Sequence, residues 1–249
     1  MIDSNIILTE RQGQVAIIKL NRPDAANALN KNMFISLTDV LEEFRWDDDV
    51  RVVVITGEGE KVFCAGIDLK ERAQKNQTEL LRERETVIRP FYMCLGNFPK
   101  PVIAAVNGLA LGGGAELALS CDIRIASSHA KFGQAEIKWG MIPSCGACQR
   151  LRLIVGMGIA KEIIFSGKIL AAEEAYRLGI YNRLVDNTQL MDEALDLASQ
   201  IADNSPIAVR QAKKVLDSGA NLWQALEMDF EASKECFFSG DALSKPKIF

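Results

Sequence analysis

The sequence predicts an α/β protein, one overall domain of stacked β-β-α units that ends in a helical C-terminal region. Three observations lead there. Strands of the buried type alternate with helices through the first half. A strand–glycine–helix–strand order recurs. The second half reads as helices, with no linker or low-complexity stretch before it.

The elements follow in order. Val15–Leu20 is an apolar strand stopped by Asn21-Arg22-Pro23. Met33, Leu37, Val40, Leu41 and Phe44 recur at helical spacing, which predicts a helix over about 31–45. Residues 51–56 (Arg-Val-Val-Val-Ile-Thr) are nearly all apolar, the mark of a strand covered on both faces, and Gly57 and Gly59 break it. Lys61–Asp68 is a short strand entering a turn. Residues 70–89 alternate in charge and read either as a solvated helical face or as a lid beside a site. Pro101–Asn107 is another buried strand. Gly108 and the triplet Gly112-Gly113-Gly114 follow, then a short apolar helix over 115–119 and a strand over 123–126. Further on, Ala194, Leu195, Ala198, Ile201 and Ala202 share one face of a helix over 192–203. Ser205-Pro206 marks a helix start, Gly219 suits its stop, and a last helix covers about 222–237. The division is a core over 1–190 that carries the chemistry and a helical region over 191–249.

Composition narrows the function classes. The 249 residues suffice for one large core without staples. With 29 Lys and Arg against 33 Asp and Glu, the net charge of −4 argues against nucleic acid as the main partner. Residues 1–5 lack the features of a secretory signal, and no apolar run approaches the ~20 residues of a membrane helix. The expected setting is the cytoplasm, with the six cysteines as reduced thiols. Cys145 and Cys148 have CxxC spacing, but a structural zinc site wants two more ligands. Small packing residues at a turn are the favoured reading there.

The glycine triplet lies between a strand and a helix. Glycine there allows unusual φ or close approach of a ligand, and the first N–H groups of the helix are unpaired and attract negative charge. A tight packing turn is the competing reading. The absence of Lys-Ser/Thr after the glycines excludes a P-loop, and the spacing is not that of a dinucleotide fingerprint. Cys64–Lys70 is a second glycine-bearing turn after a strand. Two such turns can aim two N–H groups at one oxygen. Glu116 falls in the first turn of the glycine-started helix, and Glu136 follows the next strand. Each alone is an ordinary acid. Placed after consecutive units, both can face one pocket and divide acid and base roles.

Arg22-Pro-x-x-x-Asn27-Ala28-Leu29-Asn30, Phe63–Glu71, Asn107–Ala118, Cys121-Asp-Ile and Phe132-Gly-Gln-Ala-Glu136 together resemble the enoyl-CoA hydratase/isomerase (crotonase) family over nearly the whole chain. The resemblance implies a crotonase-type spiral with a C-terminal trimerisation region, assembled as a trimer or dimer of trimers. It implies a thioester oxygen held by the N–H groups of Ile67 and Gly113. The CoA moiety would pass Ala25, Ala28, Ala65 and the Asp68-Leu69-Lys70 turn, with Lys70 near the nucleotide. Both acids together look like the hydratases: Glu116 would activate the water that attacks C3, and Glu136 would exchange the C2 proton. The activity implied is reversible syn hydration of a 2-enoyl-CoA to a 3-hydroxyacyl-CoA. No metal or redox cofactor is implied, CoA being part of the substrate.

Hydratases usually continue Ile-Pro-Gly-x-Gly-Gly-Thr-Gln-Arg-Leu. Here the run is Ile142-Pro-Ser-Cys-Gly-Ala-Cys-Gln-Arg-Leu151. Ser144 keeps a backbone N–H for the water, while Ser144, Cys145 and Trp139 bring larger side chains toward the implied acyl pocket. A basic residue near the C-terminus normally reaches a neighbour's CoA phosphate, and Lys245 and Lys247 are the candidates. Phe63–Ala73 and Ala208–Lys213 look like methylglutaconyl-CoA hydratases, so a branched or cyclic enoyl-CoA is an alternative substrate. Isomerisation, and an RNA-binding or scaffold role on the same fold, rank lower.

Overall fold

Each pass of the chain lays one strand in each of two sheets and then turns into helix. The computed structural model describes residues 6–219 and 222–239. β1 (Ile7–Gln12) and β2 (Val15–Leu20) form an antiparallel hairpin, and α1 (Lys31–Trp46) follows. The Asn30 side chain caps α1 by accepting from the Met33 N–H at 2.9 Å. Then come three passes. β3 (Val52–Gly57) and β4 (Val62–Cys64) lead to α2 (Leu69–Arg72), α3 (Gln77–Glu83), a π turn (Arg84–Ile88) and α4 (Arg89–Gly96). β5 (Val102–Val106) and β6 (Leu109–Leu111) lead to α5 (Gly113–Ser120). β7 (Ile123–Ser127) and β8 (Lys131–Gly133) lead to a 3-10 turn (Glu136–Trp139), α6 (Ala147–Val155) and α7 (Met157–Ser166). β9 (Ile169–Ala171), α8 (Ala172–Arg177), β10 (Arg183–Val185), α9 (Leu190–Ala202), α10 (Pro206–Leu216) and α11 (Leu222–Phe238) complete the described chain.

The six-stranded sheet has the order β1-β2-β3-β5-β7-β10, parallel from β2 onward, and the four-stranded sheet is β4-β6-β8-β9. Every pass repeats the same turn, so like strands stack in parallel. Ile55 pairs with Ala104 and Ala105 with Ile125, while Leu109 pairs with Lys131 in the second sheet.

Side-chain alternation puts the two faces of the large sheet in two cores. Ile18, Ile55, Ala104 and Ala126 pack toward α1 and the small sheet. Val15, Val52, Val54, Ile103, Ala105 and Ile125 pack against Leu190, Ala194, Ala198 and Ala202 of α9. This double burial is why residues 52–55 read as an unbroken apolar run. It also moves α9 into the core. The sequence division at 190/191 groups α9 with the C-terminal helices, but in the structure it covers the sheet.

The expected strands over 15–20, 51–56, 101–107 and 123–126 and the helices over 31–45 and 192–203 all form within a residue or two of those bounds. The short glycine-started helix begins earlier than expected, inside the triplet, at Gly113. β6, β8, β9 and β10 span three residues each, too short to display a period. The charged stretch over 70–89 is helical but broken, and Lys75 ties it by bridging Glu71 at 2.6 Å and also Glu83.

Two buried asparagines clasp the sheet junctions. Asn27, at φ +51°, donates to the carbonyls of Glu58 and Val62 and accepts from the Arg22 N–H. Asn107 donates to the carbonyls of Gly57 (2.9 Å) and Gly59 (2.7 Å) and accepts from the Gly57 N–H at 3.1 Å. Asn107→Ala strands the N–H and carbonyl of Gly57 in the interior and frees the Gly59 carbonyl at its edge. We expect a loss of roughly 2–4 kcal/mol in urea unfolding. A loss under about 1 kcal/mol would mean that water replaces the clasp.

Candidate active site

The site forms where the 22–30 loop, the turn after β4, the start of α5 and the turns at 133–147 converge. The first two are zipped together by backbone bonds. The Leu29 N–H donates to the Gly66 carbonyl at 2.8 Å, the Asp68 N–H to the Leu29 carbonyl at 3.0 Å, and the Ala65 N–H to the Ala26 carbonyl at 3.1 Å. Ala25, Ala28, Ala65 and Asp68 are thereby brought together. Pairing of Leu29 with Ile67 uses the neighbours of Ile67, so the Ile67 N–H is turned away from Leu29.

Arg22 braces the zip by donating to the Ala28 carbonyl at 2.6 Å and to the Asp68 carboxylate at 2.9 Å. The other Asp68 oxygen caps α2 by accepting from the N–H groups of Lys70 and Glu71. Burial opposes ionisation of Asp68, but these donors outweigh it and its carboxyl titrates below the usual range. Both Asp68 oxygens are thus engaged within the chain. Leu69 and Lys70 stand exposed at the rim.

Gly112 holds φ +49° and ψ −122°, a backbone that L side chains rarely adopt, and so α5 can start abruptly. A Cβ on Gly114 would stand 2.1 Å from the Cys64 carbonyl oxygen, so the triplet also packs α5 hard against β4. Both readings of the triplet therefore apply. The Gly113 N–H, first in α5, has no partner in the helix. A Cβ on Gly113 would lie 3.5 Å from the Ile67 nitrogen, which puts the two N–H groups side by side. Tyr92 on α4 donates its hydroxyl to the Gly113 carbonyl at 2.9 Å and fixes that peptide. An oxygen placed between the two N–H groups would receive both.

Glu116, one turn into α5, is 4% exposed. Its carboxylate accepts from the Cys145 N–H at 2.6 Å. Burial lifts its pKa to about 7; the Cys145 and Ala147 N–H groups act the other way, and the neighbouring charge of Glu136 adds to the rise. Glu136 opens the 3-10 turn and stands over the start of α5, where a Cβ on Gly112 would lie 3.2 Å from its Oε1. Burial raises its pKa as well. With its amide nitrogen turned to the carboxylate, the buried Gln134 donates to both Glu136 oxygens at 2.9 and 3.1 Å. Two carboxyls that each resist ionisation thus gather at the start of α5, where the paired N–H groups lie.

The structure brings together Glu116, Glu136, Ile67 and Gly113, with Ala25, Ala28 and Ala65 beside them. Ser144 sits on the same turn, but the N–H that meets Glu116 is that of Cys145, and the Ser144 hydroxyl accepts from Arg84 at 2.7 Å. The sequence marks Cys145 by its bulk and its CxxC spacing but not as a donor to Glu116, and it does not mark Tyr92, Gln134, Ala147 or Arg84. Gln134 lay in a quoted motif; Tyr92 had no local signal. Cys145 and Cys148 are free thiols, both pushed up by burial, Cys145 to about 12. Lys245 and Lys247 lie outside the described residues. Among the described residues, no group of three or more His, Cys, Asp or Glu is placed to hold a metal ion.

Comparison with known proteins places this geometry in context. The family model described as enoyl-CoA hydratase/isomerase matches residues 10–243. The short-chain-enoyl-CoA hydratase of Clostridium acetobutylicum is 42% identical over 242 residues, 96% of this chain and 92% of that protein. The mitochondrial methylglutaconyl-CoA hydratase of Mus musculus is 40% identical over 216 residues, 85% of this chain and 68% of that protein. The crystal structure of enoyl-CoA hydratase from Bacillus anthracis superposes with a TM-score of 0.93 at 39% identity, covering 96% of this chain and 93% of that one.

The raised pKa of Glu116 has a consequence for stability. Its folded value of about 7 exceeds the ordinary 4.5, so the folded chain keeps a proton that the unfolded chain releases. Stability therefore falls as pH rises from about 4.5 to about 7, and then levels off. Glu116→Gln removes this cost, by up to ~3 kcal/mol at pH 8 and by little below pH 4.5. Thermal unfolding across that range checks it; a Tm gain independent of pH would contradict the assignment.

Proposed function

The chain belongs to the enoyl-CoA hydratase/isomerase family, and on that premise we propose that it adds water reversibly across the 2,3 double bond of a 2-enoyl-CoA, with Glu116 and Glu136 as the acid–base pair. The observation that carries this is the pair itself: two carboxyls of raised pKa beside two adjacent N–H groups at a helix start. The thioester oxygen sits between the Ile67 and Gly113 N–H groups, where the α5 dipole and both donors stabilise the enolate. Ionised Glu116 takes a proton from water as its oxygen bonds to C3. Electrons move through C2 to the thioester oxygen. Protonated Glu136 then gives its proton to C2 as the carbonyl reforms. The sum is one water added, and one proton returning from Glu116 to Glu136 resets the site.

One proton shared by two carboxyls is the working state in both directions. In the ligand-free chain Glu116, with its pKa of about 7, carries a proton below that pH, the arrangement ready for elimination of water from a 3-hydroxyacyl-CoA. Hydration starts from the other arrangement. Nothing in this scheme requires a metal or a redox group.

The CoA chain runs past Ala25, Ala28 and Ala65 toward the exposed Leu69-Lys70 turn. Small side chains there let a pantetheine arm approach the backbone, and Lys70 offers a charge to the nucleotide. The Clostridium match extends over more of the chain than the methylglutaconyl-CoA hydratase match, which supports a short straight acyl group. No described helix is long and apolar enough to cross a membrane. Free thiols and a CoA substrate fit the cytoplasm.

Leu153, Phe165, Leu216 and Phe230 on α6, α7, α10 and α11 are 78%, 69%, 84% and 71% exposed, a load of open apolar surface that supports a homo-oligomer, a trimer or dimer of trimers. Light scattering is expected to give three or six copies, and a monomer at micromolar concentration would refute it. On crotonyl-CoA, Glu116→Gln and Glu136→Gln are each expected to lower kcat by about 100-fold or more, with the fold retained. Loss of the conjugated thioester absorbance reads it out, and full activity in either glutamine variant would sink the assignment.

A further inference from the structure

The turn that presents the Cys145 N–H to Glu116 is held at two points. From inside, Arg150 on α6 donates to the Cys145 carbonyl at 3.2 Å. From outside, Arg84 donates to the Ser144 hydroxyl at 2.7 Å. Ser144 is exposed, so this bond is its tether on the solvent side. Arg84 opens the π turn between α3 and α4, and such single-turn widenings are frequent at functional sites.

We propose that Arg84 is a positioning residue for Glu116: through Ser144 it holds the 142–147 turn in the setting where the Cys145 N–H meets the Glu116 carboxylate, and so couples the seating of the charged segment over 69–88 to the readiness of the acid–base pair. This rests on the hydratase reading above. The coupling passes through adjacent atoms. Ser144 and Cys145 share a peptide, whose N–H is the Glu116 donor. Displacing that peptide by a fraction of an ångström lengthens the 2.6 Å bond and leaves a buried carboxylate short of a donor. The charge of Arg84 also bears on the Cys145 thiol, which places the guanidinium close to the turn. The titratable groups that face Glu116 are Glu136 on the 3-10 turn, Cys145 and Cys148 on the 142–148 segment, and Tyr92 on α4, with Arg150 nearby on α6.

The test is a double-mutant cycle with Arg84→Ala, Ser144→Ala and the pair, plus Arg84→Lys, assayed on crotonyl-CoA from pH 5 to 9. Each single variant is expected to lower kcat roughly five- to tenfold with KM within about twofold, and the double variant to be no worse than either single. Arg84→Lys restores part of the loss. A weaker Cys145 donor raises the Glu116 pKa, so the alkaline limb of kcat/KM moves to higher pH in Arg84→Ala. Independent losses that multiply in the double variant, or a lower Tm with kcat and the pH limb unmoved, would overturn the proposal and leave a surface hydrogen bond. A second readout does not depend on turnover. The carboxyl band of Glu116, assigned by its loss in Glu116→Gln, is followed against pH by infrared difference spectroscopy. It is expected to titrate higher in Arg84→Ala than in the parent, and an unchanged midpoint refutes the tether. If the parent chain fails to hydrate crotonyl-CoA while this midpoint still shifts, the substrate reading falls and the tether stands.

Discussion

The structure turns on one buried carboxylate. Glu116 sits inside the protein on the first turn of α5, and the Cys145 N–H donates to it at 2.6 Å. A carboxyl in that setting resists ionisation, and its pKa rises to about 7. Everything around it serves to tolerate or exploit that state. The glycine triplet lets α5 start against β4, the small sheet carries the Ile67 turn up to the same helix start, and Glu136 arrives from the next pass of the spiral. The repeated unit explains the convergence: each pass crosses from the large sheet to the small one, and the residues after each small-sheet strand come out on the same side.

The burial that costs stability is also what makes the pair useful. Two carboxyls of ordinary pKa would both be ionised at neutral pH and would hold no proton for C2. Desolvation and the charge of Glu136 raise the Glu116 pKa to about 7, and in the proposed scheme the adjacent N–H groups hold the developing enolate oxygen. Arg22 spends its donors on the Ala28 carbonyl and Asp68, and Arg150 supports the Cys145 carbonyl. The positive end of α5 and two backbone donors face the site instead, fixed in place by Tyr92 and the strand pairing at Leu29.

Much of the fold was legible because its long elements are strongly patterned. α1 shows its stripe, and β3 and β5 read as continuous apolar runs since α9 and the main core cover them from opposite sides. The five strands of three residues carry no period, and their existence depends on partners distant in sequence. The same distinction holds at the site. Glu116, Glu136, Ile67 and Gly113 fall in motifs with local signatures. Tyr92, Cys145 and Arg84 act through single hydrogen bonds across the fold, and nothing beside them in sequence marks the partner. Asp68 illustrates a further gap: its place in the turn was legible, while the engagement of both its oxygens by Arg22 and the α2 N–H groups was not.

The central claim is that the two carboxyls have different jobs: Glu136 moves the C2 proton, and Glu116 handles the water. A saturated four-carbon acyl-CoA separates them, because it has a C2 hydrogen and nothing at C3 to hydrate or eliminate. Incubated in D2O and followed by NMR, the parent chain and Glu116→Gln are predicted to exchange that hydrogen for deuterium, and Glu136→Gln is predicted to have lost the exchange. Exchange by Glu136→Gln at the parent rate would contradict the account.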